Sequence, residues 1–209
     1  NADAYFFAGS TLIELERFSE ALGYLKEAGR LNPSNPGVWF ETGRALEGLG
    51  RTDEAVSGYE RALSLDPEND WILYNYGRIL NVEGKSQDAL HTLNESIRQE
   101  PCRQDSYYEK SISLLTTGKP EEALKAIDMA ISLEPTNQGY RKQRLKITAM
   151  INPMDWDPAI QKQRMKQDPA NATPWLNTGV IAYHNRLFED AVRTLDQAIL
   201  LSPRSSEAW

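Results

Sequence analysis

Small and apolar residues recur along the chain with the spacing of a helix face. In residues 36–69, Trp39, Gly43 and Leu46 fall at i, i+4 and i+7, and Ala55, Tyr59 and Ala62 repeat that spacing further on. Gly50 and Arg51 separate the two runs, and Asp66-Pro67 ends the second, because proline cannot continue a helix and restricts the residue before it. The pattern predicts two short amphipathic helices joined by a tight turn. Such a unit is too small to bury its own apolar faces, so it requires a neighbour on either side.

Neighbours exist at a period of 34 residues. One shift back gives Tyr5, Gly9, Leu12, Ala21, Leu25, Ala28 and Pro33 on the same template. Shifts forward give Leu73, Gly77, Leu80, Ala89, Leu93, Ser96 and Pro101, then Tyr107, Ser111, Leu114, Ala123, Ile127, Ala130 and Pro135. A later unit supplies Trp175, Gly179, Ala182, Ala191, Leu195, Ala198 and Pro203. This register resembles the tetratricopeptide repeat, whose W-x2-L-G-x2-Y…A-x3-F…P pattern has that period. The resemblance implies an all-α, right-handed solenoid of helix–turn–helix units covering essentially the whole chain. The expected organisation is a single array with repeats at about 2–35, 36–69, 70–103, 104–137, 138–171 and 172–205, and the start of a seventh at 206–209.

Local signals refine this frame. In the first repeat the helices are expected over about 2–15 and 19–31, with Glu16-Arg17 in the turn. Asn35, Asn69 (or Asp70), Asn137 and Asn171 are expected N-caps, short polar side chains that satisfy otherwise unpaired helix N–H groups. Pro120 stands where a helix tolerates proline, at its first position. Glycine costs about 1 kcal/mol relative to alanine inside a helix. Its periodic use at Gly9, Gly43, Gly77 and Gly179, with Ser111 in the fourth place, therefore implies close packing against the second helix. The fifth repeat keeps its frame through Pro169 but places Arg141, Leu145 and Thr148, then Asp157, Gln161 and Arg164, at the signature positions. It reads as a drifted helical pair with Trp156, Ile160 and Met165 as its apolar stripe; the other reading makes Arg141, Lys142, Arg144 and Lys146 a basic patch at a change of superhelix. Trp209 occupies the tryptophan position of a seventh repeat, which leaves Val192, Leu195 and Ile199 partly uncovered and suggests a fragment of a longer protein, or self-association through uncapped ends.

The formal charge of −7, from 23 basic and 30 acidic residues spread along the chain, argues against nucleic acid and against an anionic membrane surface as ligands. No apolar run approaches a membrane span, and no secretory signal opens the chain, so a cytoplasmic location is expected. The single cysteine, Cys102, excludes an internal disulfide and reads as an accessible loop thiol. His91 and His184 lie on different repeats, and with one cysteine they build no zinc site of the usual ligand sets. Gly84-Lys85-Ser86 imitates the end of a phosphate-binding loop, but Ile79 stands where its first glycine belongs and no strand precedes it. No nucleophile, base and orienting group are tied by any motif. An enzyme is not expected within these residues, and no cofactor is.

The resemblance implies that one stripe of each first helix lines a concave groove. Its fifth position reads Phe6, Phe40, Tyr74 and Tyr108 in successive repeats, and Arg44, Arg78, Asn75 and Asn81 stand beside them. Either these rings pack as core, or they form an aromatic ladder; both hold if each ring packs on one edge. Helices about 8–10 Å apart make the ladder about 25–30 Å long, which suits an extended peptide of about eight or nine residues at about 3.3 Å each. Arginine would bind a carboxylate in bidentate fashion, so a ligand with apolar and acidic residues is expected. The Lys/Asn set of the chaperone-binding carboxylate clamp is absent, since Phe6 and Ser10 stand in its place, and the asparagine ladder of the O-linked N-acetylglucosamine transferase array is not reproduced. The expected function is a non-catalytic protein–protein interaction scaffold that binds a peptide or partner domain. The alternative is the substrate-recruiting region of a larger enzyme such as a glycosyltransferase.

Overall fold

The computed structural model describes residues 1–151, 157–184 and 187–202. Among these the chain forms twelve α-helices and no strand: α1 (Ala2–Glu14), α2 (Phe18–Leu31), α3 (Pro36–Gly48), α4 (Thr52–Leu65), α5 (Asp70–Val82), α6 (Ser86–Gln99), α7 (Gln104–Thr116), α8 (Pro120–Leu133), α9 (Gln138–Ile151), α10 (Pro158–Gln167), α11 (Ala172–His184) and α12 (Phe188–Leu201). The chain divides into two compact units, Asn1–Arg144 and Leu145–Trp209. No helix among the described residues is long and apolar enough to cross a membrane.

Helix starts follow the asparagines. Asn35 accepts a hydrogen bond from Gly37 N at 2.9 Å, Asn69 from Ile72 N at 3.2 Å, Asn137 from Gly139 N at 3.0 Å and Asn171 from Thr173 N at 3.0 Å. Asn69 rather than Asp70 is therefore the cap of α5, and Asn1 caps α1 in the same way. Pro36, Pro120 and Pro158 sit in the first turns of α3, α8 and α10, where a missing N–H costs nothing. The inter-helix turns need a left-handed residue. Gly50, Gly84 and Gly118 supply it with φ of 71°, 76° and 74°, whereas in the first repeat Glu16 adopts φ 57° despite its side chain. The loop-like Gly84-Lys85-Ser86 is one of these turns.

In the first unit, adjacent helices pack as antiparallel pairs through one recurring contact. A Cβ added to Gly9 would lie 2.7 Å from Leu25 Cγ, one added to Gly43 3.0 Å from the Tyr59 ring, and one added to Gly77 2.6 Å from Leu93 Cγ. Each glycine thus makes room for the residue sixteen places on, which is buried. Ser111 and Ile127 fill the same pair of places, both with no exposed surface. Ala21, Ala55, Ala89 and Ala123 are equally buried, as the small-residue register requires. The template tryptophan is anchored too: Trp39 Nε1 donates to the carbonyl of Pro33 at 2.9 Å, tying one repeat to the proline that ends the previous one.

The second unit uses the same devices. A Cβ added to Gly179 would lie 2.6 Å from Leu195 Cγ, Trp175 Nε1 donates to Pro169 O at 3.4 Å, and Ala191 and Ala198 are buried. In the drifted fifth repeat, Gln161 occupies the place held by Leu25, Tyr59 and Leu93 elsewhere, and it is still fully buried. Ile160 and Met165 are half-buried, while Trp156 lies outside the described residues. Arg141, Lys142 and Lys146 are exposed; Arg144 Nε instead bonds Asp128 at 2.7 Å. Val192 is exposed, and Leu195 and Ile199 are half-buried; Pro203 and Trp209 lie outside the described residues.

Candidate functional site

The first helices α1, α3, α5 and α7 lie side by side in the first unit, and the stripe singled out from the sequence falls along their seam. Its aromatic members are not equivalent. Phe40 is 7% exposed and belongs to the core, its ring tilted against Tyr59 at 5.7 Å and clustered with Leu46 and Ile72. Phe6, Tyr74 and Tyr108 are half-buried. Phe6 packs one edge against α3 at Gly37, Tyr74 lies 5.5 Å from Trp71, and Tyr108 lies 5.3 Å from Tyr140 at the start of α9. Each of these three keeps part of its ring in solvent.

The polar members are tied to one another across repeats. Arg44 Nη2 donates to Glu14 on α1 at 3.0 Å, and its Nη1 to Glu41 on α3 at 3.0 Å. Arg78 on α5 forms a bidentate pair with Glu47 on α3, both distances 2.6 Å, and Glu47 also accepts from the Tyr59 hydroxyl at 3.0 Å. Asn81 donates to Glu109 Oε2 at 3.0 Å and accepts from Ser113 Oγ at 2.6 Å. Asn75 is buried and donates to Trp71 O within its own helix at 2.8 Å. The arginine forks expected to meet a ligand carboxylate are therefore filled by this chain's own glutamates.

These pairs set the protonation states. Burial raises the Glu47 carboxyl, but the two bonds and the charge of Arg78 outweigh it and bring Glu47 below the ordinary value; Arg78 is held correspondingly higher. Burial raises Glu41 against the opposing charge of Arg44. Glu109 is raised by burial as well, opposed by the Asn81 bond and the Arg78 charge and assisted by Asp105. The Tyr74 hydroxyl is pushed up to about 12, first by burial and then by Asp105.

Sequence reasoning did not single out Trp71, Arg103, Asp105 or Tyr140. Arg103 bonds Asp70 with its guanidinium over the Trp71 ring at 4.8 Å and the Tyr74 ring at 5.9 Å, and Tyr140 donates its hydroxyl to Asp105. The available signal was a spacing of 33 or 35 residues between an acid in a first turn and its partner in the next first helix. No group of three or more potential metal ligands occurs among the described residues. Cys102 is exposed, as is His91; the side chain of His184 lies outside the described residues.

Comparison with known proteins agrees with this architecture. Three models of the tetratricopeptide repeat match residues 6–70, 49–110 and 104–137, which together run from Phe6 to Asn137. None of the curated proteins compared matches the chain. Among solved structures, PilF of Pseudomonas aeruginosa is similar with a TM-score of 0.70 at 19% identity, over 99% of this chain and 94% of that one. YrrB, described as a TPR protein with an unusual peptide-binding site, gives 0.58 at 22% over 88% and 95%. The first TPR of Spaghetti (RPAP3), bound to the HSP90 peptide SRMEEVD, gives 0.55 at 23% over 56% and 93%. At these identities the likeness concerns the fold. The 34-residue register, the recurring glycine contact and the family matches converge: the chain belongs to the tetratricopeptide repeat family and is an all-α helical-repeat solenoid.

Proposed function

We propose that the chain is a non-catalytic scaffold that holds an extended peptide, or an extended segment of a partner domain, in a groove lined by its first helices. Phe6, Tyr74 and Tyr108 supply ring surface to the ligand, and Phe40 supports that wall from the core. Arg44, Arg78 and Asn81 fix the spacing of the helices that carry the rings, and Asn75 is bonded within its own helix. The observation carrying this reading is the placement of half-buried rings at one repeat position of the first helices α1, α5 and α7, whose other faces are committed to the second helices. Aromatic residues are enriched where proteins bind. The peptide-binding site named for YrrB and the peptide bound to RPAP3 show that this fold accommodates such ligands.

The test is affinity capture from a cell lysate with the intact chain and with a Tyr74→Leu/Tyr108→Leu variant. Leucine retains apolar packing, so the variant is expected to keep its helical signal and lose the captured partner. Unchanged capture by the folded variant would refute the assignment of the groove.

A further inference from the structure

Charge along the first-helix seam does not balance. Glu14, Glu41 and Glu47 engage Arg44 and Arg78, and Asp70 engages Arg103. Beyond them stand Asp105 and Glu109, one helical turn apart on α7, and neither forms an ion pair among the described residues. Asp105 accepts from the Tyr140 hydroxyl, and Glu109 from Asn81 Nδ2 at 3.0 Å. Lys142, the next member of the stripe, is exposed and pairs with neither. Arg78 is near enough to lower Glu109, yet its own fork is filled by Glu47.

Aromatic rings surround the two carboxylates. The Tyr108 and Tyr140 rings meet in a tilted contact at 5.3 Å, and Tyr74 on the adjacent helix is near enough that the charges of both Asp105 and Glu109 raise its hydroxyl. The chain itself displays what such a setting holds. At the neighbouring position Arg103 lies over Trp71 and Tyr74 while bonding Asp70, a guanidinium seated on a ring and held by a carboxylate. Asp105 with Tyr108 and Tyr140 presents the same combination of ring and carboxylate in the next repeat, and among the described residues no ion pair to Asp105 fills it.

We infer that Asp105, Tyr108 and Glu109 seat a lysine or arginine side chain of the bound peptide, so that the partner is an extended protein segment carrying a basic residue among apolar ones. This rests on reading the first-helix face as a peptide groove. A cation over a tyrosine face is attracted by the ring quadrupole, and charge-assisted bonds to a carboxylate are about twice as strong as neutral ones. An acidic ligand meets the opposite situation. It must displace Glu47 from Arg78, or Glu14 and Glu41 from Arg44, and approach two uncompensated carboxylates. The expected ligand thus differs in sign from the acidic one that the arginines suggest in the sequence, because those arginines are already neutralised.

The experiment selects phage-displayed random peptides of about nine residues against the whole chain, resynthesises the binders and measures their affinities by fluorescence anisotropy. The selected peptides are expected to carry lysine or arginine flanked by apolar residues. Asp105→Asn/Glu109→Gln is expected to weaken them by about tenfold or more. Glu121→Gln/Glu122→Gln, two exposed acids opening α8, should change affinity by less than about twofold, which separates a seat from a general field. Neutral or acidic binders lost in Tyr74→Leu/Tyr108→Leu, or basic binders insensitive to Asp105→Asn/Glu109→Gln, would overturn the cation seat and leave the groove standing. Absence of any binder sensitive to the tyrosine substitutions would overturn the groove and the seat together. Asparagine and glutamine keep the acceptor oxygens for Tyr140 and Asn81, and a helical melting curve confirms that the variant folds.

Discussion

Replacing Gly77 by serine tests the contact on which every intact repeat is built. The added Cβ would stand 2.6 Å from Leu93 Cγ and 2.8 Å from Leu93 Cδ2, whereas carbon atoms in contact rest about 3.5–4.0 Å apart. Leu93 has no exposed surface, so it cannot swing into solvent to escape. Overpacking of this kind costs about 1–3 kcal/mol. Serine returns about 0.5 kcal/mol through its better helix propensity. The net expectation is a loss of about 0.5–2.5 kcal/mol, and for a chain of this size each kcal/mol lowers Tm by about 2–4 °C. The fourth repeat shows how serine is accommodated: Ser111 faces Ile127, both are fully buried, and the Ser111 hydroxyl donates to Tyr108 O at 2.7 Å. Leu93→Ile alone should therefore cost less than about 1.5 kcal/mol, and the double variant should recover most of the loss. A favourable coupling of about 1 kcal/mol lies within the range for touching residues. Urea unfolding followed by circular dichroism on all four proteins gives the cycle. An unchanged midpoint for Gly77→Ser, or strictly additive effects, would refute the packing argument.

Three further outcomes follow from the same geometry. Because burial raises the Glu109 carboxyl above its ordinary 4.5, its ionised form weakens the fold at neutral pH; Glu109→Gln should raise Tm at pH 7, with an advantage that shrinks as pH falls through the folded-state value and is gone below about 4.5. An advantage growing towards acid would contradict this. Arg78→Ala strands Glu47 between α3 and α5. Breaking a fully buried pair costs about 3–5 kcal/mol, and since each partner is 27% exposed the expected loss is about 1–3 kcal/mol after screening; Glu47→Leu/Arg78→Leu should melt higher than Arg78→Ala. Glu16→Gly relieves a left-handed residue whose conformation costs about 1–2 kcal/mol, less the extra freedom glycine gains in the unfolded chain. A rise of about 0.5–1 kcal/mol is expected by urea titration, and a loss would show that the Glu16 side chain contributes to the turn.

The sequence disclosed the fold because each signature residue answers to a strong local requirement. Gly9, Gly43 and Gly77 admit the side chain sixteen residues on, the asparagines cap first helices, and glycines supply positive φ in three turns. These constraints act within one helical pair, so a single period reveals them. The candidate site was legible in outline only. That Phe40 lies in the core while Tyr74 and Tyr108 stay half-exposed depends on what packs beside each ring, for Phe40 the side chain of Tyr59. The pairing of Arg78 with Glu47, of Arg103 with Asp70 and of Tyr140 with Asp105 joins residues 31–35 apart. A one-residue change in that distance rotates a side chain by about 100° around its helix, so spacing close to the repeat period does not name partners. Leu145 and Gln161 show the converse: the pattern is lost in residue type while Gln161 remains buried where the frame puts it.

In the first unit the seam between first helices carries charged and polar pairs beside the apolar cluster of Phe40 and Ile72, whereas the seam within each pair is built from small residues facing one large side chain. The difference has a physical reason. A first helix already commits one face to its second helix, and under the proposed function a further apolar face towards its neighbours would leave sticky surface lining a groove open to water until a ligand arrives. Bidentate pairs such as Arg78 with Glu47 fix register between repeats without offering that surface. They contribute geometry more than net stability, since desolvation offsets much of their attraction. Against this background Asp105 and Glu109 stand out, because both carboxylates lie near rings and neither forms an ion pair among the described residues. Glu109 weakens the free fold at neutral pH by the same burial that would strengthen its bond to an incoming cation. If a ligand of opposite charge restores the stability that Glu109 costs the free protein, binding rather than folding sets that residue.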